Sequence, residues 1–369
     1  MTSLRRWLAV LAGLAVLIAL PSAVGALPAA KSNLSATQLL KRIQQSAPVA
    51  YSGYAESDGG LALPVTDQFS GLADLFGGHT QLRAWYRSTH DWRLDSIGFA
   101  GETDVHDGEQ GYWTWNYEQN TATFTQQQTD PEIRLPTDAD LLPPALARRL
   151  LSQATPAQAS RIGSDRVAGV SAAGLRIRPS EAISSIDHVD VWADPDTGLP
   201  LRVKVYGVGS GSTAISSSFL DVTVGTPAAS STAFTIPGDA AVHTGGPQDL
   251  ATTIDQLGGA TPPAELAGVA RNGLLPSLGG VGVYGRGVTE FVVVPLPRRV
   301  GYSLRRQLAP AVAAQDRNDA EDLVLSVGPL NLLLTSFDDP GGPWLLVGTV
   351  TAPTLASAAK SLPAHPGVR

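Results

Sequence analysis

The chain has 369 residues, of which 43% are hydrophobic and 16% are charged, with a formal net charge of -7 and no cysteine. This length favours two domains, and the apolar content is sufficient for a packed core. The negative charge argues against a nucleic-acid partner, which would need a basic face. The lack of cysteine excludes disulfides, thiolate nucleophiles, cysteine-bound zinc and a lipid on an N-terminal cysteine.

Residues 1–30 have the pattern of a secretory signal peptide. Arg5 and Arg6 precede an apolar run over residues 7–20, and residues 24–26 (Val-Gly-Ala) offer a cleavage site between small side chains. The run is shorter than the roughly 20 residues of a membrane span, which favours cleavage. The alternative is an uncleaved N-terminal membrane anchor, since no charge follows the run closely. Both interpretations place the rest of the chain outside the cytoplasm, either secreted or anchored to the outer face of the cytoplasmic membrane.

The first folded element is a predicted helix over residues 34–47. Ser35 and Gln38 have the spacing of a capping box, in which each side chain binds the backbone of the other residue. Leu39 and Ile43 lie one turn apart and form an apolar face with their neighbours. This face must pack on another element, and the strands that follow are the candidates.

Residues 50–125 alternate apolar and polar side chains, which predicts successive antiparallel strands with a turn at Asp107-Gly108. Residues 59–80 are apolar without a period, and we interpret them as a long loop or short helix near an opening of the sheet. Residues 138–154 predict a second helix, because Pro144 is tolerated in a first helical turn.

The clearest strand signal is the hairpin HVDVWADPDTGLPLRVKVYG over residues 188–207. Its alternation places Val189 and Val191 on the same face as a set of apolar residues on the second strand: Leu201, Val203 and Val205. The Gly- and Ser-rich residues 207–218 predict a loop, and residues 219–225 predict a last strand. A long antiparallel sheet of this kind twists and curls, so helices on its concave side would cover its apolar face.

A change of composition marks the second domain. We predict a first domain over residues 31–236, a linker over 237–275 and a small α+β domain over 276–369. In the last of these, four apolar runs predict strands and residues 352–362 predict a closing helix.

Several of these segments resemble one family. RVAGVSAAGLRIRP, followed by VDVWADPDTGLPLRVKVYG, is similar to the paired segments of the LolA/RseB superfamily of periplasmic lipoprotein carriers and sigma-E regulators. YGRGVTEFVVV and WLLVGTVTAPTLASAAKSL resemble the small second domain of its RseB/MucB branch. A further strand resembles the family's D-G-x-x-x-W-x-Y core, although with a longer spacing, at Asp107, Gly108, Trp113, Trp115 and Tyr117.

The resemblance implies an α+β fold, with a curved antiparallel half-open β-barrel enclosing helices and a small C-terminal α+β domain. It also implies a non-enzymatic protein without cofactor or metal, which binds a lipid or lipoprotein acyl chain and docks a membrane-anchored anti-sigma factor or a transporter. The alternative is a ligand-free envelope interaction protein that is accessory to a transporter. The residues expected to line an apolar cavity are Trp85, Trp92, Phe99, Trp113, Trp115, Tyr117, Val191, Leu201, Val203, Val205, Leu39 and Ile43. Aromatic residues on strands also fit a filled core, so this alternative stays open.

Catalytic and metal motifs are weak in this sequence. The G-x-G-x-x-G string at residues 280–285 precedes a strand, whereas a dinucleotide loop precedes a helix. The S-x-x-K string at residues 357–360 lacks the other elements of a serine acyltransferase. Alternation places Glu102, Asp104 and His106 on one strand face, which suits either a cation patch or a solvated outer face.

Overall fold

The computed structural model of the protein describes residues 28–61, 70–98, 101–126, 136–245, 261–272, 280–312, 322–336 and 343–363. The predicted signal peptide or anchor therefore lies almost entirely outside the described residues, and so does Phe99, one of the residues expected to line a cavity. Among the described residues, no helix combines the length and the apolar composition needed to cross a bilayer.

Twelve strands form one large, open antiparallel sheet. The strands are β1 (Tyr51–Gly59), β2 (His79–Ser88), β3 (Asp91–Gly98), β4 (Gly101–Gly108), β5 (Gly111–Asn116), β6 (Thr121–Gln126), β7 (Ala159–Val167), β8 (Val170–Ile177), β9 (Ile186–Ala193), β10 (Pro200–Gly207), β11 (Thr213–Val224) and β12 (Ala241–Gly245). Their order is β12-β6-β5-β4-β3-β2-β1-β11-β10-β9-β8-β7, and β12 alone pairs in parallel with its neighbour. The sheet is curved and not closed, which confirms the expected half-open architecture.

Four described helices accompany this sheet: α1 (Ala36–Gln44), α2 (Ser70–Gly77), α3 (Asp138–Leu141) and α4 (Pro143–Leu151). The capping box predicted for the first of them is present, because Ser35 Oγ accepts from Gln38 N and the Ser35 N–H donates to Gln38 Oε1. Leu39 and Ile43 are fully buried against the sheet. The short helix predicted as one option within residues 59–80 is α2.

The second helix differs from the prediction. Residues 138–154 form two helices with a break at Leu142, whose backbone is extended (φ -56°, ψ 134°). A residue that precedes a proline is disfavoured in the helical region, and Pro143 follows Leu142. Pro143 and Pro144 then occupy the first turn of α4, where proline loses no hydrogen bond.

The hairpin β9–β10 has the predicted register and faces. Val203 pairs with Val191 and Val205 pairs with Val189, so that all four side chains lie on one face. Together with side chains of α1 and α4 they form one buried cluster. These helices therefore cover the apolar face of the hairpin.

The Gly- and Ser-rich loop is shorter than predicted. Thr213–Ser218 belong to β11, and only residues 208–212 connect it to β10. The small side chains in β11 fit beneath a helix, because buried Ser217 donates its Oγ proton to the carbonyl of Leu141 at 2.5 Å. Composition indicated a loop here, but close packing favours small residues.

The C-terminal part contains a second sheet with order β15-β16-β19-β18-β17. Its elements are β15 (Gly282–Arg286), β16 (Thr289–Pro295), α5 (Arg298–Leu308), β17 (Leu323–Val327), β18 (Leu330–Leu334), β19 (Trp344–Gly348) and α6 (Ala352–Ala359). The four predicted strands (β16–β19) and the closing helix are present, whereas β15 and α5 were not predicted. The expected linker, residues 237–275, contains three strands. Of these, β13 (Glu265–Leu266) and β14 (Val269–Ala270) form a small hairpin, and β12 is the edge strand of the large sheet.

The small sheet is joined to the large one through backbone hydrogen bonds. Ser185 N donates to Thr349 O at 3.1 Å, and Thr351 N donates to Ile183 O at 2.8 Å. Arg286 also pairs with Glu181 at 3.2 Å. A narrow cleft of about 10 Å³ between Gln158, Glu181 and the β15–β16 turn has room for about one water molecule.

The turn of the β9–β10 hairpin packs closely on α1, which leads to a first prediction. Gly198 has φ +77°, and a Cβ there would lie 2.5 Å from the carbonyl oxygen of Arg42. Gly209 has a similar φ of +73° but open space around its Cα. We expect Gly209→Ala to cost about 1–2 kcal/mol from backbone strain alone. Gly198→Ala should cost clearly more, because the turn must also move away from the helix.

The two variants are compared by urea unfolding followed by circular dichroism. Equal losses of unfolding free energy in Gly198→Ala and Gly209→Ala would contradict a tight contact between the turn and α1.

Candidate functional site

The register of the large sheet assigns each side chain to one of two faces. The helix side is the face that α1 and α4 cover, and the outer face is the opposite one. Val203 pairs with Ser217, Ser217 with Ser57, and Ser57 with Thr80. Because paired residues lie on the same face, these four side chains identify the helix side on each strand from β10 to β2. Strict alternation along each strand then fixes both faces up to β6.

Half of the residues predicted to line a cavity form a filled core on the helix side. Each is at most 4% exposed: Leu39, Ile43, Val191, Leu201, Val203 and Val205. They pack against the helices and against each other in two neighbouring clusters. This part of the helix side is therefore packed protein interior.

The predicted aromatic residues lie on both faces of the sheet. Trp92 is on the helix side, where it packs on the second cluster. Trp85, Trp113, Trp115 and Tyr117 belong to the outer face, because the register aligns Trp85 with Arg93, His106 and then Trp113 across four strands. One shared cavity for the whole predicted set does not fit this placement. The aromatic alternation in β5 was identified correctly, but long-range strand pairing decides which face it occupies.

The segment of residues 226–240, which we call the outer strap, crosses the outer face between β11 and β12. Its Thr232 donates to Asp91 Oδ1 at 2.5 Å and accepts at its carbonyl from His106 Nδ1 at 3.0 Å. The ring of Phe234 lies 4.9 Å from His106 and 5.5 Å from Trp113. The strap thus covers part of the aromatic row on this face.

Next to the strap, a buried charge network occupies β2, β3 and β4. Arg93 donates to Asp95 at 2.5 Å and to Asp104 at 3.0 Å, while Arg83 donates to Glu102 at 2.9 Å. Asp95 and Asp104 are almost completely buried. The predicted common face of Glu102, Asp104 and His106 is confirmed, but Asp104 and His106 are buried rather than solvated.

Three carboxylates share two guanidinium groups in this network. Burial, followed by the nearby charge of Asp95, raises the pKa of Asp104 to about 7. Burial also lowers the pKa of His106, which favours its neutral form. The carboxylate oxygens of Asp95, Glu102 and Asp104 lie within 4.8 Å of one another. A bound cation would have to compete there with both arginines, so we interpret this cluster as a salt-bridge network.

Beyond the filled core, the helix side continues over β3–β5 as a half-buried surface. We call it the helix-side patch, and it consists of Trp92, Val105, Asp107, Tyr112 and Thr114. Cross-strand pairing joins Trp92 to Asp107 and Tyr112, and joins Val105 to Thr114. These side chains are brought together from three strands; the Asp107 side chain is 7% exposed, and the other four residues are half-buried.

Asp107 gives the helix-side patch a polar centre. Burial raises the pKa of its carboxyl to about 6, and the ring of His90, 3.5 Å away, opposes this shift. The sequence indicated Asp107 only as part of a turn, and no pattern revealed its position among aromatic side chains. Within residues 59–80, which we expected to lie near an opening of the sheet, Leu61 and Leu75 are buried in the structure.

The fold and the two faces define a class: an open, curved antiparallel sheet with helices on one side and a small α+β unit after it. No protein-family model and no curated protein sequence matches the chain. Among solved structures, the chain is similar to MucB in "The complex structure of Pseudomonas aeruginosa MucA/MucB", with 17% identity, a TM-score of 0.50, and coverage of 89% of this chain and 99% of that one.

Two further structures are similar at lower scores. MucB in complex with MucA(peri) has 17% identity, a TM-score of 0.49 and coverage of 89% of this chain and 99% of that one. LolA superfamily protein NE2245 from Nitrosomonas europaea has 8% identity, a TM-score of 0.24 and coverage of 55% and 98%. The similarity to MucB, at 17% identity, shows the fold alone, and over most of the chain it is the fold that the resemblance implied.

Proposed function

We propose that this protein is an extracytoplasmic, non-enzymatic binding protein that holds the acyl chain of a lipid or lipoprotein on the helix-side patch. The observation that carries this proposal is the patch itself, where Trp92, Val105 and Tyr112 stay half-buried around the single carboxyl of Asp107, beside a fully packed core. Each methylene that a ligand buries there contributes about 0.8 kcal/mol, so a long chain binds without any charged contact.

The junction between the two sheets supports a second element of the proposal. The small sheet would dock a membrane partner, such as a membrane-anchored anti-sigma factor or a transporter. The backbone hydrogen bonds of residues 183–185 with residues 349–351 fix it against the large sheet. A ligand that shifts the large sheet would therefore also shift the docking surface, and occupancy would be coupled to partner affinity.

The filled core favours a second candidate function. Six of the residues expected to line a cavity are packed protein interior, as a ligand-free interaction protein requires. In that case the protein would act only through docking, as an envelope protein accessory to a transporter.

The two candidates are separated by lipid analysis and by one pair of variants. Full-length protein is purified gently from native membranes, and bound lipid is extracted for mass spectrometry. A fluorescent fatty acid then measures uptake by the wild type, by Val105→Asp in the helix-side patch, and by Ser216→Asp on the outer face of β11. Both substitutions add one negative charge at a half-buried strand position.

We expect a stoichiometric lipid, and an affinity for the fatty acid that falls at least about tenfold in Val105→Asp, because a carboxylate would have to be desolvated by the chain. Ser216→Asp should bind like the wild type. Protein without lipid that also takes up no fatty acid would overturn acyl-chain binding and favour the docking function. Equal losses in both variants would contradict binding at the patch.

A further inference from the structure

Helix α5 carries a concentration of basic residues: Arg305 is buried, whereas Arg298, Arg299 and Arg306 are exposed and are not part of the proposed ligand site. Its sequence, RRVGYSLRRQL, has four arginines in eleven residues. Residues 276–369 contain eight basic and seven acidic side chains, and the whole chain has a net charge of -7. Four of these eight basic side chains lie within the eleven residues of α5, so positive charge is concentrated on this helix.

The two faces of α5 are sharply different. Leu304 and Leu308 are buried in a cluster with the small sheet, which fixes the orientation of the helix. Arg298, Tyr302 and Arg306 are exposed and follow one another at intervals of four residues. Such residues lie on one line along a helix, here about 12 Å long. Arg299 is exposed beside them.

We propose that this exposed face of α5 docks the protein on an anionic phospholipid membrane surface. Arginine binds phosphate through its planar fork of donors. Tyr302, 52% exposed between the arginines, suits the boundary between headgroups and acyl chains, where tyrosine is enriched. The stripe is a convex helix surface, and the narrow cleft formed by the described residues lies elsewhere, at the junction of the sheets. A plane of headgroups fits a convex charged stripe better than an extended acidic peptide, which needs a groove.

This inference does not depend on acyl-chain binding and is tested separately. Full-length protein is sedimented with vesicles of phosphatidylcholine alone and with vesicles that also contain phosphatidylglycerol. The variant Arg299→Glu/Arg306→Glu inverts two exposed charges of the stripe. The matched control Lys41→Glu/Arg178→Glu makes the same change of net charge at exposed positions on the large-sheet part. Circular dichroism verifies that both variants are folded.

We expect binding to the anionic vesicles that is lost in high salt, as surface electrostatics requires. Each basic residue near an anionic surface contributes about a fivefold factor, so the α5 variant should bind at least about 25-fold more weakly. The control variant should lose no more than a few-fold.

Three outcomes would overturn the proposal. Equal binding of the wild type to both kinds of vesicle would assign binding to the N-terminal apolar segment. Equal losses in the two variants would show only an effect of net charge. The third outcome concerns soluble polyglutamate as a competitor. If it displaces the wild type from vesicles, and if the α5 variant binds polyglutamate more weakly by the same factor, the stripe would be assigned to an acidic protein partner.

Discussion

Val203→Asp is expected to prevent folding or to remove most of the stability of the protein. Val203 is fully buried on the helix side, paired with Val191 and Ser217 and packed in the cluster that α1 and α4 cover. The side chains of this cluster are hydrophobic, so the new carboxylate would lose its hydration without gaining a hydrogen-bond donor from the cluster. An unpaired buried charge costs several kcal/mol, and the net stability of a folded protein is about 5–15 kcal/mol.

The adjacent residue provides the control. Lys204→Asp introduces the same side chain one position further, where it points to the outer face and is half-buried. It loses a weak contact of the ammonium group with the Trp192 ring, at 5.9 Å, and places a carboxylate across from Asp190, whose charge Arg176 already balances. Soluble yield and urea unfolding are measured for both variants. If the unfolding free energies of the two variants agreed within about 1 kcal/mol, the assignment of faces would be wrong.

Arg93→Met is expected to destabilise the protein by about 3–5 kcal/mol at pH 8, because it leaves buried carboxylates without their main partner. Arg93 bridges Asp95 and Asp104, and its guanidinium lies 5.1 Å from the centre of the Trp85 ring. The remaining arginine of the network, Arg83, is less buried and pairs mainly with Glu102.

The loss should become smaller towards pH 5. The pKa of Asp104 is about 7 in the folded protein and 3.8 in a model peptide. Between these values the folded state binds a proton that the unfolded state lacks, so stability falls as the pH rises through this range and is constant above it. Loss of Arg93 raises this pKa further and extends the fall above pH 7. His106, whose pKa is lowered by burial and in part by the charge of Arg93, acts in the opposite direction below its ordinary pKa. Loss of Arg93 weakens this contribution, which also makes the loss of stability smaller towards pH 5.

Urea unfolding at pH 5 and pH 8 measures this effect, with Arg178→Met as the control because Arg178 is an exposed arginine. Asp104→Asn serves as a companion variant. It removes the surplus negative charge, and its stability relative to the wild type should rise from pH 5 to pH 8. A loss in Arg93→Met that does not depend on pH would contradict the raised pKa of Asp104.

The features that the sequence predicted correctly depend on neighbours in the chain. The capping box of α1 involves residues three positions apart, and the β9–β10 hairpin has its turn residues between two alternating strands. Local periodicity contains this information directly. Helix α5 has the same kind of signal, because Val300, Leu304 and Leu308 follow one another at intervals of four residues. This short helical period was not recognised between the stronger strand patterns on either side.

The features that the sequence did not predict depend on long-range pairing. Asp95 joins Asp104 only because β3 pairs with β4 in one register, and a shift by one residue would move Asp95 to the other face. Strand pairing also places Trp113 on the outer face. The alternation within its own strand would be the same if Trp113 lay on the helix side, so that pattern alone cannot assign the face. A single sequence does not encode register in any local pattern, so the helix-side patch became visible only in the assembled sheet.

The position of β1 has a consequence for the order of folding. This strand is early in the chain, yet it lies in the middle of the large sheet between β2 and β11, and Tyr51 pairs with Val224. The sheet therefore cannot be completed until the polypeptide has emerged through residue 224. Until then β1 and β10 both present unpaired edges, which are templates for aggregation. Loop closure over such a distance is slow, so the nascent chain needs protection until β11 has inserted between them.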